Sequence, residues 1–169
     1  ELDFETSLRA RLALLEGLPI SVFDTVFKSI HLSKNAQEFI SILQKKGILV
    51  GLVSGGFAPI VERLATSLGI SYFSANQLEV KDGFLTGRLV GEIVTGQVKQ
   101  VTLEKWRKEL ELPKERTIAI GDGANDLLML KSAGRSIAFC AKEVVKSEIA
   151  CHVDTRDFLE VLPLIDFLE

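Results

Sequence analysis

Three apolar runs in this chain lack the polar alternation of a half-wet strand: Ile48–Val53, Thr117–Ile120 and Ser136–Cys140. Such runs need cover on both faces, which helices packed on either side of a parallel sheet provide. The intervening segments supply those helices. Ser33 is placed to cap a helix reaching Lys46, with Phe39, Ile40, Ile42 and Leu43 on its inner face, and Gly47 stops it. Pro59 sits in the first turn of a helix ending near Leu68, and further helical stretches run from about Val98 to Leu110, up to Ala133, from Lys142 and after Asp157. Short strands are expected at Ser71–Phe73 and Ala150–Val153. The fold class is therefore α/β with a Rossmann-like parallel sheet.

Two segments depart from the rhythm. Residues 1–33 predict two helices, about 4–16 and 20–30, broken at Gly17-Leu18-Pro19 with no strand between them. They read as part of a helical cap beside a core over 34–169. Residues 77–90 predict a β-hairpin turning on Asp82-Gly83.

Composition narrows the function. The 169 residues are 47% hydrophobic and 25% charged, enough apolar matter for a real core. The net charge of −3 comes without a basic block, which argues against nucleic acid as partner. No apolar run approaches the ~18 residues of a membrane span. Cys140 and Cys151 make neither a disulfide framework nor a zinc motif, and read as buried thiols in a reducing cytoplasm.

Ligands of open α/β sheets gather at the carboxyl ends of the strands. Two such ends carry chemistry. Ser54-Gly55-Gly56 follows Val53, offering a hydroxyl and an approachable backbone to an anion, although a tight turn accounts for it equally well. Gly121-Asp122-Gly123-Ala124-Asn125-Asp126 follows Ile120. Two carboxylates and an amide there suit a hard cation such as Mg²⁺, against the plainer reading of an Asx turn with a helix cap. Lys99 opens a helix, where the dipole disfavours a cation. Alone it reads as a solvated lysine; with the other two it can neutralise a phosphoryl group.

Together these residues resemble the haloacid dehalogenase-like phosphohydrolases. SGGF at 54–57, LEVKDGFLTG at 78–87, GDGAND at 121–126, IAFCAK at 137–142 and LDFETSLRARLALLEGLP at 2–19 are similar to the phosphoserine-hydrolysing branch of that family. The resemblance implies an Mg²⁺-dependent phosphomonoester hydrolase that closes serine biosynthesis in the cytoplasm through a phosphoaspartyl intermediate. It implies that Ser54 and Gly55 hold phosphoryl oxygens and that Lys99 pairs with the phosphate. Asp122 would ligate Mg²⁺, Asn125 would hydrogen-bond the phosphate, and Asp126 would orient Lys99 or a metal-bound water. In the cap, Phe4 would pack over the substrate and Arg11 would grip its carboxylate, with Arg9 the nearest rival. Another small-molecule phosphatase or phosphotransferase of the same branch, or a non-catalytic phosphate-binding module, are the alternatives.

The family's attacking strand ends in Asp-x-Asp-x-Thr/Val. No two aspartates of this chain are separated by a single residue. The resemblance therefore implies that the nucleophile, the general acid and base, and a central strand between those ending at Ser54 and Gly121 belong to a segment upstream of Glu1. It also implies that the 169 residues alone are inactive.

Overall fold

The structure is a computed structural model and describes residues 2–165, with side chains from Glu5 to Ile165. In chain order the elements are α1 (Leu2–Ala13), α2 (Val22–Ser29), α3 (Ala36–Lys45), β1 (Gly51–Phe57), α4 (Ala58–Ser67), β2 (Tyr72–Lys81), β3 (Phe84–Val90) and α5 (Gly96–Glu109). After these come β4 (Ile118–Gly121), α6 (Leu127–Ser132), β5 (Arg135–Phe139), α7 (Glu143–Lys146), β6 (His152–Val153) and a closing 3-10 helix, Phe158–Leu164. The fold is α/β, as the apolar runs require. It packs as two units, each with a three-stranded sheet. One joins the residues up to His31 with Gly51–Thr95; the other joins Leu32–Val50 with the residues from Gly96 onward.

In the first unit the strand order is β1-β2-β3. The start of β2 pairs with β1 in parallel, from Gly51 opposite Tyr72 to Ser54 opposite Ala75. Its end pairs with β3 in antiparallel, closing at Lys81 opposite Phe84. The separate strand expected at 71–73 and the first arm of the hairpin are thus one strand. Asp82 and Gly83 both adopt positive φ, 53° and 84°, the geometry a tight two-residue hairpin turn demands. Leu8 and Leu12 are buried on one face of α1 and pack with Ile93, against Leu15, Phe57, Leu78 and Leu89. The Gly17–Pro19 break is not a plain turn: Leu85 N–H donates to Leu18 O and Gly17 N–H to Leu85 O, both at 2.8 Å, so the segment lies along β3. This corrects the expectation that nothing strand-like joins the two helices. Backbone groups freed by the helix break find partners there.

The second unit carries β4-β5-β6, all parallel. Ile137 and Ala138 are fully buried, as a strand covered on both faces must be. The core beside them is rich in small side chains: Ala119, Ala133, Ala138 and Ala141 pack with Met129, Leu130, Val145 and Ile149. Short side chains let α6 lie close to β4 and β5, with α5 packed on α6. The helix expected after Asp157 is a 3-10 helix, and it contains Pro163, which cannot donate to an α-helical ladder. Phe158 on this turn stacks on Phe139 with centroids 4.2 Å apart and meets Phe39 of α3 at 5.4 Å. β1 and β4 are each the end strand of their own sheet.

Candidate functional site

The second unit gathers four of the residues singled out in the sequence. β4 ends at Gly121, and the chain then turns through Asp122 and Gly123 into a 3-10 turn, Ala124–Asp126, that leads into α6. The Asp126 N–H donates to Gly123 O at 2.9 Å. In return, Asp126 Oδ2 accepts the N–H groups of Asp122 and Gly123, each at 3.1 Å. One carboxylate oxygen therefore fixes the loop, as an acidic residue at the third position of a helix start does. The other oxygen, Oδ1, accepts from Lys99 Nζ at 2.6 Å. Lys99 lies on the first turn of α5.

Lys99 is 6% exposed and Asp126 5%. Lysine and aspartate are almost never buried unless paired. Removing one member of such a pair strands a charge and costs about 3–5 kcal/mol. Lys99 is thus no solvated surface lysine.

Asp122 and Asn125 are exposed. Among the described residues the Asp122 carboxylate has neither a hydrogen-bond donor nor a cationic partner. Its backbone is held instead: Lys142 N–H donates to Asp122 O at 3.0 Å. No three His, Cys, Asp or Glu side chains gather as a metal-binding group among the described residues. A hard cation that keeps several waters needs only one or two carboxylates. Asp122 fits as one oxygen ligand. Asp126, with its oxygens taken by Lys99 and two N–H groups, fits as its support. Gly121 makes this packing possible, since a Cβ there would lie 2.6 Å from Asp126 Cβ.

The first unit holds the remaining candidates. Ser54, Gly55 and Gly56 lie within β1 rather than after it, because the strand continues to Phe57. Ser54 Oγ accepts from Gly56 N–H at 3.0 Å. Gly55 O accepts from Asn76 Nδ2 at 2.8 Å. Asn76 escaped the sequence reading, since nothing in the mixed polar and apolar run around it marks it out. Arg11 is on α1 and exposed, its Nε donating to Ser7 O of the same helix at 3.3 Å. Arg9 is likewise exposed. The side chain of Phe4 lies outside the described residues.

Residues 1–131 match the sequence profile of the haloacid dehalogenase-like hydrolases. A phosphoserine phosphatase of Streptococcus thermophilus is 49% identical over 166 residues, covering 98% of this chain and 77% of that protein. Two solved structures are also similar. One, described as a phospho-aspartyl intermediate analogue of phosphoserine phosphatase, has a TM-score of 0.89 at 43% identity and covers 96% of this chain and 78% of its own. The other, a substrate-bound phosphoserine phosphatase complex, has a TM-score of 0.90 at 43% identity and covers 96% and 77%. On its sequence, its fold and these relatives, the chain belongs to the haloacid dehalogenase-like hydrolases.

Proposed function

We propose that this chain carries most of an Mg²⁺-dependent phosphoserine phosphatase, releasing L-serine and inorganic phosphate from O-phospho-L-serine. The observation that carries the reading is the buried Lys99–Asp126 pair, 2.6 Å apart, with Asp126 on the same loop as the exposed carboxylate of Asp122, which has no partner among the described residues. A buried, permanently paired lysine is a preorganised positive charge, which needs no reorganisation when phosphoryl charge builds up. The relatives named phosphoserine phosphatase narrow the substrate.

Each residue then has a task. Lys99 neutralises the phosphoryl oxygens, and Asp126 keeps it aimed. Asn125 offers an exposed amide donor to the phosphate. Ser54 and Gly55 donate to phosphoryl oxygens. Asp122 holds Mg²⁺, which supplies Lewis-acid polarisation of the phosphoryl group when bound. Residues 1–33 act as part of a cap over the 34–169 core, Arg11 pairing its planar fork with the substrate carboxylate and Phe4 covering the substrate. The attacking aspartate and the general acid and base, in this reading, belong to a segment outside the 169 residues, and transfer runs through a phosphoaspartyl intermediate. The reaction is the last step of serine biosynthesis, set in the cytoplasm.

Substrate recognition is tested by phosphate release from the intact protein that contains this chain. Arg11→Ala should lower kcat/KM for phosphoserine about 10–10²-fold, the loss of a charge-assisted carboxylate pair at ~1.5–3 kcal/mol. A generic aryl phosphate, which has no carboxylate, should lose less than about threefold. Equal losses for both substrates would assign Arg11 a structural role and remove the amino-acid head from the reading.

A further inference from the structure

Asn76 is fully buried, yet it belongs to neither the loaded loop after β4 nor the Ser54 motif in sequence. Its surroundings explain why an amide sits there. The β1–β2 ladder pairs Ser54 with Ala75 and then Phe57 with Asn76, so Gly55 and Gly56 pass with no residue opposite them. The backbone groups of that two-residue bulge need other partners. Asn76 Nδ2 donates to Gly55 O at 2.8 Å, and Asn76 Oδ1 accepts from Val94 N–H at 2.8 Å. A carbonyl only accepts and an N–H only donates, so these two bonds fix which end of the amide is which.

The consequence runs onward through a peptide plane. Gly55 C=O and Gly56 N–H lie in one rigid trans unit and point in opposite directions. Pulling the carbonyl toward Asn76 aims the Gly56 N–H the other way, and there it donates to Ser54 Oγ at 3.0 Å. A hydroxyl that already accepts one N–H keeps its own proton to donate. We propose that Asn76 is a positioning residue: through the Gly55–Gly56 peptide it holds the Ser54 hydroxyl as an outward hydrogen-bond donor to the phosphoryl group. This deepens the phosphatase reading and rests on it for the role of Ser54.

A double-mutant cycle on the intact protein tests it, with phosphoserine as substrate. Ser54→Ala should lower kcat about 10²-fold, as the loss of one preorganised donor does. Asn76→Asp, assayed at a pH high enough to ionise the new carboxyl, keeps an acceptor for Val94 N–H and removes the donor to Gly55 O. It should lower kcat at least about tenfold with little change in KM. The combined substitution should fall within about twofold of Ser54→Ala alone, because the two act on one donor. Multiplying losses, or full kcat in Asn76→Asp, would overturn the proposal. Should Asn76→Asp fail to fold, amide exchange still decides. Gly56 N–H should exchange at least about tenfold faster in Ser54→Ala while Val94 N–H keeps its protection, and an unchanged Gly56 N–H would overturn the relay. An unsubstituted protein that releases no phosphate from any phosphomonoester would defeat the functional reading, while the exchange measurement would still judge the relay.

Discussion

At the scale of single residues, the loop after β4 is organised around one side chain. Asp126 accepts from Lys99 with one oxygen and from two backbone N–H groups with the other, so a small displacement of its carboxylate disturbs all three bonds at once. Gly121 is where that displacement is easiest to impose. A methyl group there would sit 2.6 Å from Asp126 Cβ and 2.8 Å from Cγ, inside any permitted contact. Gly121→Ala should therefore destabilise the protein by about 1–3 kcal/mol, the usual cost of overpacking. Phosphatase activity should fall by more than the loss of folded protein accounts for, because the Asp126 carboxylate must move. Chemical denaturation alongside phosphate release at matched folded fraction checks both. Wild-type stability in this variant would mean the loop yields without cost.

At the scale of elements, the strands covered on both faces were legible because β4 and β5 are unbroken apolar runs. The Asp82-Gly83 hairpin was legible because turn chemistry is local. The end of β1 was not. Gly55 and Gly56 read as a turn, whereas the strand continues through them as a bulge whose partner, Asn76, comes 21 residues later. The candidate residues divide in the same way: Asp122, Asn125 and Asp126 follow from strand-end rules, while Lys99 opens a helix and its burial depends on a partner 27 residues away that no local pattern encodes. The mooring of α3 was equally hidden. Asp157 accepts from Lys34 Nζ at 2.8 Å, from Asn35 Nδ2 at 2.8 Å and from Leu159 N–H at 3.1 Å, tying the start of α3 to the closing 3-10 helix. The Lys34 hydrogen bond first, then those of Asn35 and Leu159, hold the Asp157 carboxyl below the usual carboxylate range. A depressed carboxyl contributes stability above its unfolded value near 3.9 and loses it as the pH falls through the folded value. The same bond raises Lys34, whose share persists below its ordinary value near 10.4 and fades as the pH rises through its raised one. Asp157→Asn should thus lower stability at pH 7 and flatten the loss of stability below about pH 4. Urea unfolding at pH 7, 5 and 3 reads this. Parallel acid profiles for the two proteins would mean that Asp157 does not couple to folding.

At the scale of the whole molecule, the chain divides into two packed units, with Ser54, Gly55, Asn76 and Arg11 in one and Lys99, Asp122, Asn125 and Asp126 in the other. On the proposed function, the buried Lys99–Asp126 pair serves phosphoester chemistry rather than stability. Buried ion pairs are poor stabilisers: removing one partner costs about 3–5 kcal/mol, whereas removing both charges together is often nearly neutral. That asymmetry separates the two roles. In the double variant Lys99→Met with Asp126→Asn, the asparagine keeps an oxygen for the Asp122 and Gly123 N–H groups, and the methionine refills the space of the lysine stem. The decisive measurement is kcat/KM for O-phospho-L-serine on the intact double variant, with urea stability recorded on the same preparation. That role predicts stability within about 1–2 kcal/mol of the unsubstituted protein and a loss of at least about 10²–10³-fold in kcat/KM. A folded double variant that retains phosphoserine turnover within about threefold would contradict it.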